Sequence, residues 1–176
     1  MKIAIIGYSG AGKSTLAKKL SHYYDCEVLH LDRIHFAPNW VERSDEEMVS
    51  DVRSFMEKEN WIIEGNYSRV LYEKRMEEAD QIIFLNFNRF SCLWRAYKRY
   101  RTYKGATRPD MANGCNEKFD WEFVCWILRG GRSRKAKSRY KKVAEIYWKK
   151  IVILKNQRKL DLFVQYSLRD FVAENL

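Results

Sequence analysis

A chain of 176 residues is long enough to bury a full core and short for two ordinary domains, so a single domain over residues 1–176 is expected. It has no apolar run of membrane-spanning length, and its first apolar stretch leads into a glycine-rich loop rather than a cleavage signal, which points to a cytoplasmic protein with no membrane partner. Cys26, Cys92, Cys115 and Cys125 form no C-x-x-C pair and His22, His30 and His35 are not grouped with them, which argues against zinc, whereas the net charge of +10 calls for anionic partners, nucleotide phosphates or nucleic acid.

Residues 3–6 (IAII) read as a short buried strand, and residues 7–14, GYSGAGKS, are a complete G-x-x-x-x-G-K-[ST] loop. Leu16, Ala17 and Leu20 then recur at helical spacing, so the loop has the strand, loop, helix context that phosphate binding requires. Gly7, Gly10 and Gly12 allow the backbone to approach a ligand closely with its N–H groups and the helix N-terminus facing phosphate oxygens. Lys13 is placed to reach the β- and γ-phosphates, and the Ser14 hydroxyl to hold Mg²⁺.

A second strand is expected at 27–31 and a helix at 46–58 with Met48, Val52, Phe55 and Met56 inward. A third strand at 61–63, a helix at 71–78 and a fourth strand at 81–85 follow. Next come a basic, aromatic helix from 89 to about 103 and a segment at 105–116 marked by Gly, Pro and Asn. Helices near 119–128 and 133–149, a fifth strand at 151–154 and a closing segment at 160–172 complete the pattern. Short apolar strands separated by helices predict an α/β fold with a five-stranded parallel sheet flanked by helices on both faces.

In such a sheet, ligands gather at the carboxyl ends of the strands. Asp32 follows strand two and can take a proton from a substrate hydroxyl or orient a metal-bound water; a cap in the 32–39 loop is its plainer role. Glu64 follows strand three in a Walker-B-like Ile62-Ile63-Glu64 pattern suited to organising Mg²⁺ through water. Phe36, Trp40 and Tyr67 offer stacking faces, and Arg33 and Arg69 offer forked donors, so the 32–60 and 64–69 regions are expected to form an acceptor pocket. Arg95 and Arg99, four apart on one helical face, are candidates to close over a nucleotide, within a lid segment of about 95–130. The run at 129–142 (RGGRSRKAKSRYKK) is a solvated helix face or a nucleic-acid surface.

The phosphate loop together with HLDRIHF-PNW (30–40), WIIEGNYSRVL (61–71), EEADQIIFLNFNRFSCLWRAYKR (77–99), RPDMANGC (108–115) and IVILKNQRKLDLF (151–163) resembles the DNA topology modulation (FlaR-type) proteins. Those look like relatives of adenylate kinase among the P-loop kinases. The resemblance implies a P-loop NTPase fold like that of the nucleoside-monophosphate kinases, with a helical lid. It also implies that the phosphate loop, including Ser9, Ala11 and Thr15, binds ATP, that Glu64-Gly65 matches the acidic-Gly pair of those kinases, and that Arg95 and Arg99 match lid arginines. By the same likeness Asn156 and Arg158, within the loop after strand five, contact adenine. The run Glu64-Gly65-Asn66-Tyr67-Ser68 departs from the Asp-Gly-Phe-Pro-Arg of adenylate kinases. The chain is small and has no tyrosine in a strand-cleaving context, which excludes a topoisomerase. The expected function is ATP- and Mg²⁺-dependent phosphoryl transfer to a small-molecule acceptor, a nucleotide, nucleoside or similar; the alternative is an NTPase that binds nucleic acid through 129–142.

Overall fold

The computed structural model describes residues 1–174. Five strands, β1 (Lys2–Gly7), β2 (Val28–His30), β5 (Trp61–Glu64), β6 (Gln81–Leu85) and β7 (Ile151–Leu154), form one sheet in the order β2-β5-β1-β6-β7, every neighbouring pair parallel. β1, β5 and β6 lie in the middle and are buried along almost their whole length, which is why they read as unbroken apolar runs rather than alternating ones.

The helices that cover the sheet begin where the sequence supplies caps. α1 (Lys13–Tyr24) starts from Gly12 with no capping side chain, whereas α3 (Asp45–Met56) has a reciprocal capping box between Ser44 and Glu47. Asn88 caps α5 (Arg89–Tyr103), Asp120 caps α6 (Trp121–Leu128) and Ser133 caps α7 (Arg134–Ile146), each accepting from a backbone N–H three residues on. α4 (Tyr72–Glu78) and α8 (Gln157–Glu174) complete the cover. The inward face of α3 is Met48, Val52 and Met56, as the periodicity predicts, with Phe55 only half-buried against the core.

Two features were not legible in the pattern. The second strand stops at His30, and Leu31–His35 turns into a one-turn helix, α2. After it, β3 (Phe36–Ala37) and β4 (Val41–Glu42) form a small antiparallel ribbon whose bend holds both Asn39 and Trp40 at positive φ, 63° and 65°. Asn tolerates that conformation but the bulky Trp does not, so the bend is held from outside. Asn39 N–H donates to the Asn113 carbonyl and Trp40 N–H to the Cys115 sulfur, so the 104–117 segment pins it.

Candidate active site

β1 is central, with the earlier strands β2 and β5 on one side and the later strands β6 and β7 on the other, so the loop after it opens at the point where strand order reverses. Gly10 (φ 77°) and Gly12 (φ 96°) give residues 7–13 the curvature of a cradle, and a Cβ on Gly10 would come within 2.3 Å of the Cys92 carbonyl oxygen. Because α1 has no capping side chain, its first-turn N–H groups remain directed at whatever fills the cradle. Asn66 braces the loop from behind: its Oδ1 accepts from Gly7 N–H at 3.1 Å and its amide donates to the Gly7 carbonyl at 2.6 Å. An asparagine after the strand-end Glu-Gly is the only sequence trace of that brace.

Glu64 ends β5 and is 1% exposed. Its Oε1 accepts from the Ser14 hydroxyl at 2.9 Å and faces His30 Nδ1 at 3.0 Å, β2 and β5 being paired so that His30 and Glu64 are partners in register. Burial alone would raise the Glu64 pKa, but the His30 hydrogen bond, the Lys13 charge and the Ser14 hydroxyl together hold it below the usual carboxylate range. A hydroxyl and an ionised carboxylate, both hard oxygen donors beside a phosphate cradle, fit Mg²⁺, which takes one or two protein oxygens and completes its shell from phosphates and water. Among the described residues no cluster of three or more His, Cys, Asp or Glu could hold a metal by itself.

A single cavity of about 1240 Å³ runs from the phosphate loop across the carboxyl ends of the strands, and Lys13, Ser14, Asp32, Phe36, Trp40 and Tyr67 all line it. Asp32 sits in α2, where its Oδ1 accepts from the Tyr67 hydroxyl at 2.9 Å. Burial, with the Asp32 carboxylate beside it, pushes the Tyr67 phenol far up, so that Tyr67 is a fixed donor. Phe36 and Trp40 meet edge-on at 4.9 Å between centroids, and the Lys118 ammonium lies 4.9 Å from the Trp40 ring.

The arginines are sorted differently from the sequence expectation. Arg33 is exposed, and Arg69, 84% exposed, pairs with Asp45 on the surface; neither lines the cavity, because α2 and the 65–71 loop turn them outward. Gly65 does not line it either: it lies with φ 134° against Leu31, where a Cβ would approach within 2.8 Å, and its carbonyl receives Arg75. Arg75, unremarked in the sequence, is wholly buried and donates to the carbonyls of Gly65, Tyr67 and Val70, which fixes the loop that carries Tyr67. Burial lowers its pKa to about 10, still protonated at neutral pH.

Arg95 and Arg99 do share the cavity, but with different partners. Arg95 donates to the Ala11 carbonyl at 3.0 Å and to the Gln157 side chain, and stacks 4.9 Å from the Phe87 ring, so it ties the phosphate loop to α8. Arg99 is joined to Glu117 through Nε at 2.8 Å and Nη2 at 2.7 Å. Glu117 also pairs with Arg108, Arg108 with Asp110 at 2.7 Å, and Asp110 with Lys18 at 3.2 Å. This chain of ions fastens the irregular 104–117 segment to α5 and α1.

α6 then crosses the mouth, with Trp126 Nε1 donating to the Ser9 hydroxyl at 3.3 Å. Of the residues expected at adenine, Asn156 caps the start of α8, accepting from Lys159 N–H at 3.0 Å, and Arg158 is exposed; neither lines the cavity. The residue between them, Gln157, instead meets Arg95 and borders a small cleft of about 50 Å³ with Gly12, Thr15 and Leu160. The basic run is divided as well. Arg129 lines the cavity, Arg132 packs 3.7 Å from the Tyr8 ring and donates to the Phe87 carbonyl, and Arg139 lies against Tyr72 and Tyr140.

No protein-family model matches the sequence, and no curated protein matches it. Its fold is similar to that of a deoxyadenosine kinase from M. mycoides with bound dATP (TM-score 0.54, 15% identity, 94% of this chain and 98% of that chain covered). It is similar also to the shikimate kinase from Acinetobacter baumannii in complex with shikimate (TM-score 0.50, 13% identity, 99% of this chain and 94% of that chain covered). The chain therefore has the α/β fold of the P-loop kinases, a five-stranded parallel sheet flanked by helices. Among the described residues no helix is long and apolar enough to cross a membrane.

Proposed function

We propose that the protein is an ATP- and Mg²⁺-dependent kinase of small molecules. The observation that carries this reading is the joining of Lys13, Ser14 and Asp32 in one cavity, phosphate cradle at one end and a carboxylate among aromatic rings at the other. Lys13 and the loop amides would hold the donor phosphates, and Ser14 with Glu64 would hold Mg²⁺, whose charge neutralises the transferring group. Arg95, which grips Ala11, would fix the loop from the nucleotide side, and Gln157 beside it would face the base. The acceptor would sit within the 32–60 segment against Phe36, Trp40 and Tyr67, and the 95–130 segment would serve as lid, excluding water through α6. The likeness to FlaR-type proteins belongs to the same reading, with any effect on DNA topology following from the kinase reaction.

The fold neighbours act on a nucleoside and on shikimate by their names, which supports a small-molecule acceptor here. The nucleic-acid reading loses part of its surface because Arg132 and Arg139 are packed against tyrosines and Arg129 faces the cavity, while Arg134, Lys135, Lys137, Lys141 and Lys142 stay exposed on α7 and are what the nucleic-acid arm of the test probes. The test is ADP release with Mg²⁺ and ATP across a panel of nucleosides, nucleotides and polyols, with and without DNA or RNA. Release that depends on a small acceptor is expected; release that depends on nucleic acid alone overturns the proposal.

A further inference from the structure

At the acceptor end of the cavity both lining arginines, Arg99 and Arg108, are already engaged by carboxylates. Arg99 directs Nε and Nη2 at Glu117, and Arg108 is held between Glu117 and Asp110. Lys18 is paired with Asp110, and Arg33 and Arg69 lie outside the cavity. Arg129, at the end of α6, lines the cavity beside Gly130, three residues beyond the Trp126 that bonds Ser9 of the phosphate loop. Lys19 borders the small cleft with Gly12, Thr15 and Arg95, and Lys118, resting on the Trp40 ring, is the cation left on the acceptor wall.

A phosphate monoester carries about −1.5 to −2 charges at pH 7 and is typically received by open forks. Here it would enter a space lined by Asp32, Glu42, Asp110 and Glu117, with those forks closed. An alcohol meets the opposite situation. One oxygen of Asp32 is fixed by Tyr67, and the other has no hydrogen-bond partner among the described residues, which leaves it free to receive a proton. The same cavity offers the rings of Phe36 and Trp40, which meet edge-on, and of Phe123, faces for a planar body.

We infer that the acceptor is an alcohol on a planar, nucleoside-like body, phosphorylated at its hydroxyl, and not a phosphate monoester; this rests on the kinase reading above. The hydroxyl oxygen forms a bond to the γ-phosphorus of ATP while the bond from that phosphorus to the β,γ-bridging oxygen breaks. ADP leaves with the electron pair of the broken bond. The hydroxyl proton passes to Asp32 and then to water, and nothing is oxidised or reduced.

The experiment uses matched pairs, each nucleoside against its own 5′-monophosphate, so that the body is constant and only the accepting group changes. Turnover with Mg·ATP is followed by ADP release, and product type by ³¹P NMR, which separates a phosphomonoester from a diphosphate. The nucleoside member is expected to be turned over at least about 100-fold faster, giving a phosphomonoester, and Asp32→Asn to lower that rate about 100-fold or more with Mg·ATP affinity kept. Preference for the monophosphate member, conversion of the acceptor itself to a diphosphate beyond the ADP that each turnover releases, or bound ATP with neither member phosphorylated overturns the inference while leaving ATP binding standing. Failure of the kinase reading itself would look different: no ATP binding, or binding unchanged by Lys13→Ala.

Discussion

The two walls of the cavity are built by different physics. The phosphate wall, residues 7–15 between β1 and α1, is a largely local structure: glycine conformations and helix-end amides that are neighbours in sequence specify it, with one brace from afar, Asn66. The opposite wall, residues 104–117, has little regular structure and is held by ions drawn from far apart, Lys18 and Asp110 being 92 residues distant in the chain. A local wall announces itself as a motif. A wall assembled by long-range pairs leaves only scattered charges, although it pins the strained Asn39-Trp40 bend and so decides the shape of the acceptor end.

The contrast is broken most severely at Glu117, which is buried and pairs with both Arg99 and Arg108. Removing it by Glu117→Ala leaves two poorly solvated guanidiniums facing one another, and the expected loss is about 3–5 kcal/mol, read by chemical denaturation. A loss within about 0.5 kcal/mol would mean that the second wall stands without its ions. On the first wall, Lys13→Ala should leave the denaturation curve almost unchanged, because the ammonium's single hydrogen bond is a long one, 3.5 Å to the Tyr8 carbonyl. Turnover should fall by roughly 10²–10³, about 2.7–4 kcal/mol of lost stabilisation of the transferring charge. One wall thus yields a stability phenotype and the other a catalytic one.

The same difference explains what the sequence allowed to be read. The sheet strands, α1 and α5 and the phosphate loop were legible because each is specified by period or by adjacent residues, as with Leu16, Ala17 and Leu20 on one face of α1. Asp32 and Tyr67 were legible as residues of the loops after strands two and three, and a cavity there was expected because ligands gather past the carboxyl ends of parallel strands. Arg33 and Arg69 were misplaced because proximity to a strand end does not say which way a side chain leaves a turn. Arg75, Asn66 and Glu117 went unnoticed because their partners are backbone carbonyls or residues in other elements, and neither leaves a periodic trace. The basic run was legible in part: Arg134, Lys135, Lys137, Lys141 and Lys142 are exposed as a solvated face requires, but charge composition does not distinguish them from Arg132 and Arg139, which are stacked on tyrosines.

Between the extremes lies Glu64, where local and distant contacts meet. Glu64→Gln keeps the shape but weakens the proposed oxygen donor, so Mg²⁺ affinity in the presence of ATP should fall about 10–100-fold, read by titrating Mg²⁺ against thermal unfolding. ATP affinity without metal should change far less. An equal fall in both would make Glu64 a brace for Ser14 and not part of an ion site.

The gentlest way to separate the walls is acid. Burial would raise the Asp110 pKa, but the charges of Arg108 and Lys18 outweigh it and hold the carboxyl below its ordinary value. A folded-state pKa below the unfolded one gives stability that is present above the unfolded value, about 3.9, and is lost as pH falls through the folded value. The phosphate wall draws mainly on glycine conformation and backbone hydrogen bonds, which do not titrate there, and the carboxylate that meets it, Glu64, is bonded to it through the neutral Ser14 hydroxyl. Pepsin, acting between about pH 4 and 2, should therefore cut within 104–117 before it cuts within β1 or α1. Asp110→Asn cannot titrate, so in this variant the acid-induced rise in cleavage at that segment should be smaller, although its cleavage at the upper end of the range should be greater than in the parent. Simultaneous loss of both walls, with the same profile in parent and variant, would show that the two are one cooperative unit and that their different construction has no consequence for how the cavity opens.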